Sequence, residues 1–152
     1  MRAISHRSVI DYSIYVLTFT PTMTTVKSES IANNKYLVEH LLNRARITSI
    51  DQVEQHWHLL EAAHIVGQTR FGTHLKVHLA MLNLAWKSKD FLELTGQLLR
   101  IALVPLGHLI GRLPIGNPGR ANVSAFEPMQ PSTKILQTIA ESRQALWGLK
   151  VK

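Results

Sequence analysis

The histidines of this chain are concentrated in one short stretch. Five of the eight lie within residues 56–78, and the 152-residue chain contains no cysteine. Imidazole and carboxylate groups bind transition metals such as zinc, iron, manganese and copper, and they also act as general acids and bases. The absence of cysteine excludes a disulfide framework, a thiolate nucleophile, an iron–sulfur cluster and any zinc site that includes cysteine. Metal or nucleophile chemistry must therefore use histidine, carboxylate or hydroxyl groups.

Helical periodicity places these histidines on two neighbouring helices, predicted over residues 50–67 and 73–87. At about 100° per residue, His74 and His78 lie one turn apart at the centre of an apolar face of the second helix. Two buried imidazoles need partners, because an unpaired polar group in a core costs about 1–3 kcal/mol. One face of the first helix carries five polar side chains: Glu54, His58, Glu61, His64 and Gln68.

The short turn between these helices predicts which side chains meet. In an antiparallel hairpin centred near residues 69–70, residues whose numbers add up to about 139 lie at the same height. His64 then faces His74, and Glu61 faces His78. Three imidazoles and a carboxylate at one level form a ligand set for zinc, iron, manganese or copper. We therefore predict a mononuclear metal site at Glu61, His64, His74 and His78, with a role in metal sensing, buffering or resistance.

Four further side chains are secondary candidates. His58 and Gln68 extend the predicted cluster at its two ends. The next predicted helix carries one polar stripe among apolar residues, made of Asp90, Glu93, Gln97 and Arg100. The stripe could supply Glu93 and Gln97 as metal ligands or as acceptors for a histidine N–H. Alternatively, it is the solvated strip of a helix that is buried on its other sides.

Other interpretations fit the same residues. A metal-free network in which the buried histidines bond to Glu61 or Gln97 explains the pattern, and so does catalysis by a His/Glu pair. A metal with an open coordination position would make the protein a hydrolase or oxygenase. The 17 Lys and Arg residues against 10 Asp and Glu give a formal charge of +7, scattered along the chain. A metal-free interaction module, whose basic surface binds nucleic acid or an acidic protein, is therefore the alternative function.

Residues 105–131 hold five of the six prolines and four of the eight glycines, so no regular element is expected there. Within them, the segment 116–122 could bind an anion through Asn117, Arg120 and Asn122, because clustered glycines let backbone amides converge. The segment follows no predicted strand and lacks Gly-Lys-Ser/Thr, so no nucleotide cofactor is predicted. The alternative is a turn that packs three apolar side chains onto the helices: Val123, Phe126 and Met129.

The whole pattern predicts an all-α protein, a small array of four to five helices. The array consists of a first helix over 29–46, a central antiparallel hairpin, a long Gly/Pro-rich structured loop over 105–131 and a last helix over 132–149. The expected boundaries are an N-cap at Ser49, a left-handed C-cap at Gly67, N-caps at Thr73 and Ser88, a stop at Val104 before Pro105, and an N-cap at Ser132 or Thr133.

Residues 1–22 differ from the rest of the chain. Arg2 and Arg7 precede an apolar stretch, as in a secretory signal, but Asp11 interrupts it and no small-x-small cleavage site follows. The stretch is also too short to span a bilayer. We expect residues 1–22 to be a flexible leader or an upstream start, a signal peptide being the alternative, and residues 23–152 to form one helical domain. No membrane association is predicted.

Several motifs in fixed order resemble a known family. They are Leu60-Glu61-Ala62-Ala63-His64-Ile65-Val66-Gly67-Gln68, His74-x3-His78-x2-Met81-Leu82, Gly96-Gln97-Leu98-Leu99-Arg100, the segment 111–117 (GRLPIGN) and the segment 121–129 (ANVSAFEPM). Over roughly residues 35–131 the chain is similar to the bacterial domain-of-unknown-function family 3703, although Pro118 stands where members often have Thr. The resemblance implies a small bacterial protein, a cytoplasmic location and a start near Met23. It implies no reaction, because the family has no assigned activity.

Overall fold

Five α-helices account for most of the residues that the structure describes. A computed structural model describes residues 23–148, with side chains from residue 32 onward. The predicted leader, residues 1–22, lies outside this range. The helices are α1 (Met23–Ile47), α2 (Val53–Gly67), α3 (Phe71–Lys87), α4 (Phe91–Leu109) and α5 (Thr133–Trp147), with a 3-10 turn at Ile50–Gln52. No strand occurs within the described residues, which confirms the all-α prediction.

The helix α2 lies at the centre of the array. It packs against α1, α3 and α5, and α3 in turn packs against α4. Apolar side chains on these faces form one core, whose largest fully buried members are Leu37, Leu41, Leu60, Met81 and Leu84. Burial of each such side chain contributes about 1.5–3 kcal/mol. The core therefore fixes the relative positions of α2 and α3, which carry the histidines.

Three predicted helix starts differ from the structure. Ser49 caps the 3-10 turn through the Asp51 amide at 3.4 Å, and α2 begins only at Val53. The prediction at Thr73 is wrong, because α3 already begins at Phe71, and the Thr73 hydroxyl instead donates to the Gly67 carbonyl at 2.8 Å. That hydrogen bond closes the turn between α2 and α3.

The predicted cap at Ser88 is also wrong. The Asp90 carboxylate is the N-cap of α4 and accepts from the Glu93 amide at 2.9 Å, whereas Ser88 ends α3. Gly67 does end α2, but it lacks the left-handed conformation that was expected. Space is the reason for glycine there, since an added Cβ would lie 3.2 Å from the Val38 side chain.

Pro105 does not stop α4, so the predicted end at Val104 is wrong. The helix continues through Pro105 to Leu109. A proline inside a helix removes one backbone hydrogen bond and costs about 3 kcal/mol. Packing on both sides of the proline offsets this cost, because Val104 before it is buried and the His108 ring after it contacts His74 and Phe71.

The loop between α4 and α5 is ordered by a buried asparagine. The Asn117 amide donates to the carbonyls of Ser124 at 2.7 Å and Glu127 at 3.0 Å, and its Oδ1 accepts from the Gly119 N–H at 2.9 Å. The predicted docking of Phe126 is wrong, because 73% of this residue is exposed.

No helix within residues 23–148 has the length and apolar character needed to cross a bilayer.

Candidate metal centre

Three histidines converge in the interior between α2 and α3. Their Nε2 atoms form a nearly equilateral triangle, with His64 3.0 Å from His74 and 3.1 Å from His78, and His74 3.2 Å from His78. All three residues are buried. His64 thus meets His74, as the length of the turn predicts, and it meets His78 as well. We call these three residues the histidine triad.

Backbone and amide oxygens set the proton positions of two rings. The Nδ1–H of His64 donates to the Asn117 carbonyl at 2.9 Å, and the Nδ1–H of His78 donates to Oε1 of Gln97 at 2.7 Å. Oxygen at both places can only accept, so each neutral ring carries its proton on Nδ1 and a lone pair on Nε2. The two lone pairs therefore face each other across 3.1 Å.

Gln97 is itself held in one orientation. Its Nε2 donates to the Glu93 carboxylate at 2.7 Å and to the Gly119 carbonyl at 2.8 Å, which turns Oε1 toward His78. Hydrogen bonds from the outer nitrogens of metal-binding histidines to such acceptors fix the tautomer and the ring orientation. Gln97 thus accepts from His78 in this structure, and the alternative of a solvated stripe is wrong because Glu93, Gln97 and Arg100 are buried.

The third ring has a partner that sequence analysis missed. Nδ1 of His74 lies 3.1 Å from Nε2 of His108, which is half-buried near the end of α4. The predicted stop at Val104 removed His108 from consideration. A helix continued through Pro105 places His108 on the same face as Gln97 and Val104, and this spacing is the signal that identifies it.

The triangle has dimensions that suit a metal ion bound on one side. Tetrahedral zinc with Zn–N bonds of about 2.0–2.1 Å separates its nitrogens by about 3.3–3.4 Å, and an octahedral ion reduces this to about 3.0 Å. The Nε2 separations of 3.0–3.2 Å lie between these octahedral and tetrahedral values. The triad could hold an ion with only small ring movements, and three protein ligands leave at least one coordination position open.

Burial keeps the triad uncharged. Desolvation lowers the pKa of His64 well below the ordinary 6.5, and the neighbouring rings lower it further. Desolvation and the His78 ring lower the pKa of His74 to about 3. Desolvation also lowers the pKa of His78 to about 4, although its hydrogen bond to Gln97 opposes the shift. All three rings are therefore neutral at pH 7, the protonation state in which imidazole binds metals.

Glu61, predicted to face His78, instead pairs with an arginine from the loop. Nη1 of Arg120 lies 3.1 Å from the Glu61 carboxylate, and its Nε donates to Glu93 at 3.0 Å. The same guanidinium lies 4.0 Å from the centre of the Trp57 ring. Burial raises the pKa of Glu61, whereas the Arg120 contact lowers it. The structure thus brings the three histidines together, whereas Glu61 is bonded to Arg120 and does not belong to the group.

The other predicted site residues lie outside the triad. Nδ1 of His58 is buried without a hydrogen-bond partner among the described residues, and its ring borders a different cavity. The Gln68 amide, in the orientation that satisfies both groups, donates to the Pro114 carbonyl and accepts from the Gly116 N–H. In the predicted anion-binding segment, Asn117 and Arg120 are occupied by partners within the protein, and Asn122 is exposed.

Gly119 lies directly against the triad. Its φ of +84° is a left-handed conformation that favours glycine, and an added Cβ would lie 2.9 Å from Cδ2 of His64. The Gly119 carbonyl also accepts from Gln97 at 2.8 Å. Sequence analysis treated this glycine as part of a turn, whereas its backbone supports the positions of both His64 and Gln97.

A cavity of about 610 Å³ opens beside the triad. All three histidines border it, together with Arg100 and Arg112 and a predominantly apolar wall from the end of α4 and the following loop. None of the carboxylates of the described residues lines it. The open side of the triad therefore faces a space large enough for a small molecule.

Fold and site together define an all-helical protein with a buried three-histidine group that could hold a metal ion. The chain belongs to the family described as "Protein of unknown function (DUF3703)", whose family model matches residues 32–139. No curated protein and no solved structure matches the chain.

Proposed function

We propose that this protein binds a single transition-metal ion through the Nε2 atoms of His64, His74 and His78. The observation that carries the proposal is the pair of Nε2 lone pairs, on His64 and His78, that face each other across 3.1 Å. Two acceptors at this distance repel unless a cation lies between them. A proton is a poor candidate, because burial lowers the pKa of both rings.

A metal-free histidine network explains the geometry less well. His74 could carry a proton on Nε2 and donate it to one neighbour, with Nδ1 accepting from His108 at 3.1 Å. The repulsion between His64 and His78 would persist in that arrangement, since their Nδ1 protons are fixed by oxygen acceptors. A metal ion satisfies all three lone pairs at once.

The donor set restricts the choice of ion. Imidazole nitrogens suit zinc, iron, nickel and copper(II), whereas magnesium, calcium and manganese prefer oxygen ligands and copper(I) prefers sulfur. No carboxylate of the described residues borders the cavity, so its wall supplies no acidic side chain as a general base. Binding for sensing, buffering or resistance therefore fits the site better than hydrolysis or oxygenation.

The proposal is tested by elemental analysis of untagged protein dialysed to remove loosely bound ions. We expect about one zinc, iron, nickel or copper ion per chain in the wild type, and a loss of at least ten-fold in metal content for His64→Ala and His78→Ala. His56→Ala is the matched control, because His56 lies on the same helix outside the triad and should retain the metal.

Thermal unfolding provides the second readout. A ligand present at 100 times its Kd stabilises the folded state by about 2.7 kcal/mol, so chelation should lower the melting temperature of the wild type. Metal-free wild-type protein whose melting temperature does not change with added metal or chelator would contradict the proposal.

A further inference from the structure

We infer that the cavity beside the histidine triad binds a small monocarboxylate with an alkyl chain. The carboxylate would contact the metal and Arg100, and the chain would lie along the apolar wall. The inference rests on the proposed metal binding and assigns a ligand to the coordination position that the three histidines leave open.

Arg100 is the first observation. Only 7% of this residue is exposed, and its Nη2 donates to the carbonyls of Arg120 at 2.5 Å and Val123 at 2.6 Å. Its Nε and Nη1 make no hydrogen bond to the described residues, and the guanidinium borders the same cavity as the triad. Each of these two nitrogens can donate a charge-assisted hydrogen bond to one oxygen of a carboxylate.

The charges around the site are the second observation. The Glu93 carboxylate already accepts from Gln97, Arg120 and the Ala121 amide, and Glu61 pairs with Arg120. No ion pair within residues 32–148 involves Arg100. A divalent metal on three neutral imidazoles would add two positive charges beside this buried cation. An anion is the ligand that compensates them.

The cavity wall determines the rest of the ligand. It is mostly apolar, with contributions from Leu103, Val104, Leu106, Ile110 and Phe126. Its volume of about 610 Å³ lies within the 300–1,000 Å³ range of small-molecule sites. An inorganic anion alone would leave this apolar surface uncovered. An alkyl chain of several carbons attached to the carboxylate would cover it.

The test is calorimetric titration of metal-loaded protein, with metal content measured first, using acetate, butyrate, hexanoate and hexylammonium as probes. We expect the affinity to rise about four-fold per buried methylene, from transfer of about 0.8 kcal/mol for each, and hexylammonium not to bind. Ile110→Glu places a negative charge at an exposed position of the cavity wall and should weaken hexanoate binding at least ten-fold. Leu79→Glu is the matched control, because Leu79 is equally accessible and does not border the cavity.

The outcomes separate this inference from the proposed function. A metal-free protein would contradict the proposed function, whatever the titrations show. A metal-loaded protein that fails to bind hexanoate, binds acetate and hexanoate equally, or binds hexanoate unchanged in Ile110→Glu would overturn the carboxylate site alone. Arg100→Gln is the last test. If this variant keeps the wild-type metal content and binds hexanoate at least ten-fold more weakly, the result supports the carboxylate site. Unchanged hexanoate binding would overturn the carboxylate site.

A second, independent inference comes from the outer face of α4. We propose that this face pairs with the same face of a second copy of the chain. Residues spaced alternately by three and four positions form an a/d heptad seam, and all six are exposed: Leu92, Thr95, Leu99, Ala102, Leu106 and Leu109. Phe91 and Leu98 flank the seam and are also exposed. Seams of this type pack helix against helix in coiled coils.

The exposure of the face and its pattern favour a second copy. Six large apolar side chains on it are each 52–84% exposed, and a stable interface takes about 800 Å² from each partner. The seam contains no charged residue, so it has no attraction for an acidic or basic partner. A Leu-rich heptad face is complementary to itself, as a two-fold symmetric pair requires.

Light scattering coupled to size exclusion tests the pairing on the full chain. We expect the wild type at twice the 17.1 kDa chain mass and Leu99→Glu at 17.1 kDa. Leu79→Glu, on the neighbouring helix and outside the seam, should remain at the dimer mass. A wild type that is monomeric at about 50 µM, a level well above the Kd of typical stable interfaces, or a dimer that Leu99→Glu leaves intact, would overturn the pairing.

Discussion

The Gln97 amide shows how one residue sets the chemistry of the site. Its Nε2 is held by Glu93 and by the Gly119 carbonyl, so its Oε1 must face His78. The orientation of one amide thereby fixes the tautomer of His78. A metal would bind a ring whose position and proton are set before the ion arrives, and this preorganisation is what raises affinity in metal sites.

Substitution of Gln97 tests this role. In Gln97→Met the side-chain volume is similar and the acceptor is lost, so we expect metal affinity to fall about 10- to 100-fold. The measurement is competition with a chromophoric chelator. Gln137→Met is the control, because Gln137 is exposed on α5 and should leave the affinity unchanged. Equal affinities in the two variants would show that Gln97 does not position the ligand.

Gly119 offers a second residue-scale test with a matched control. Both Gly119→Ala and Gly111→Ala place alanine at a positive φ, +84° and +67°, and each should lose about 1–2 kcal/mol of stability. Only at Gly119 does the new Cβ meet the His64 ring, whereas nothing lies within 4 Å of Gly111. We therefore expect weaker metal binding in Gly119→Ala alone. A similar loss in both variants would assign the effect to backbone strain.

At the scale of elements, the loop between α4 and α5 forms part of the site. Its backbone supplies the Asn117 carbonyl for His64 and the Gly119 carbonyl for Gln97, and its Arg120 binds Glu61 and Glu93. A long loop without regular structure is typical of functional segments. Here its Gly and Pro content allows the tight turns that bring these groups against α2, α3 and α4.

Asn117 should therefore determine the order of the loop. Asn117→Ala removes three hydrogen bonds within a buried segment, and we expect a loss of about 3 kcal/mol in the free energy of unfolding. Denaturant unfolding measures it. Asn122→Ala, at an exposed position of the same loop, should stay within about 0.5 kcal/mol of the wild type. Equal stabilities of the two variants would mean that Asn117 does not hold the loop.

The helices and the histidine contacts follow from periodicity and turn length, whereas the loop contacts do not. The predicted meeting of His64 and His74 depends only on a short turn between two helices. The partner of Glu61 comes from Arg120, whose position depends on the path of a segment without periodicity. Charge pairing over such a distance in sequence has no local signal.

The outer face of α4 shows a second reason for prediction to fail. Periodicity identifies the polar stripe and the apolar face, but the stripe is buried around the site and the apolar face is exposed. The usual rule, apolar inside and polar outside, gives the wrong orientation here. Glu93 and Gln97 are buried because they bond to Arg120 and His78, and no single-sequence pattern reports such pairing.

At the scale of the whole molecule, the lowered histidine pKa values couple folding to pH. The unfolded chain binds protons at its histidines near the ordinary pKa of 6.5, whereas folded His78 and His74 bind them only near 4 and 3. Between these values the unfolded state holds more protons, so the stability of the folded state is fully present above 6.5 and falls as the pH falls. Arg100 and His108 lower the pKa values of His78 and His74 further, whereas the Gln97 hydrogen bond and the Glu93 carboxylate oppose the shift at His78 without reversing it.

Denaturant unfolding of metal-free protein from pH 7 to pH 4.5 tests the coupling. Each proton taken up on unfolding contributes a slope of about 1.4 kcal/mol per pH unit, so the wild type should lose at least this much per unit below pH 6. A His74→Asn/His78→Asn double variant should show a shallower slope. A flat wild-type profile would be inconsistent with a buried neutral triad.

The charge of +7 and the histidine triad point to different functions for the whole molecule. Binding of nucleic acid or an acidic protein by the basic surface stays a prediction from composition. The proposed metal site is supported by geometry, since α2 and α3 bring the Nε2 atoms of three histidines within 3.0–3.2 Å of one another. Two helices and a loop thus converge on one group of neutral nitrogens.

X-ray absorption tests most directly whether three imidazoles hold one metal ion. The spectrum is recorded at the edge of the metal that copurifies with untagged protein. We predict three imidazole nitrogens at about 2.0–2.1 Å from zinc, plus at least one further ligand that is not histidine, such as water. In His78→Ala, reloaded with metal, the imidazole contribution should fall to two. A wild-type spectrum with fewer than three imidazoles, or one that His78→Ala leaves unchanged, would contradict the claim.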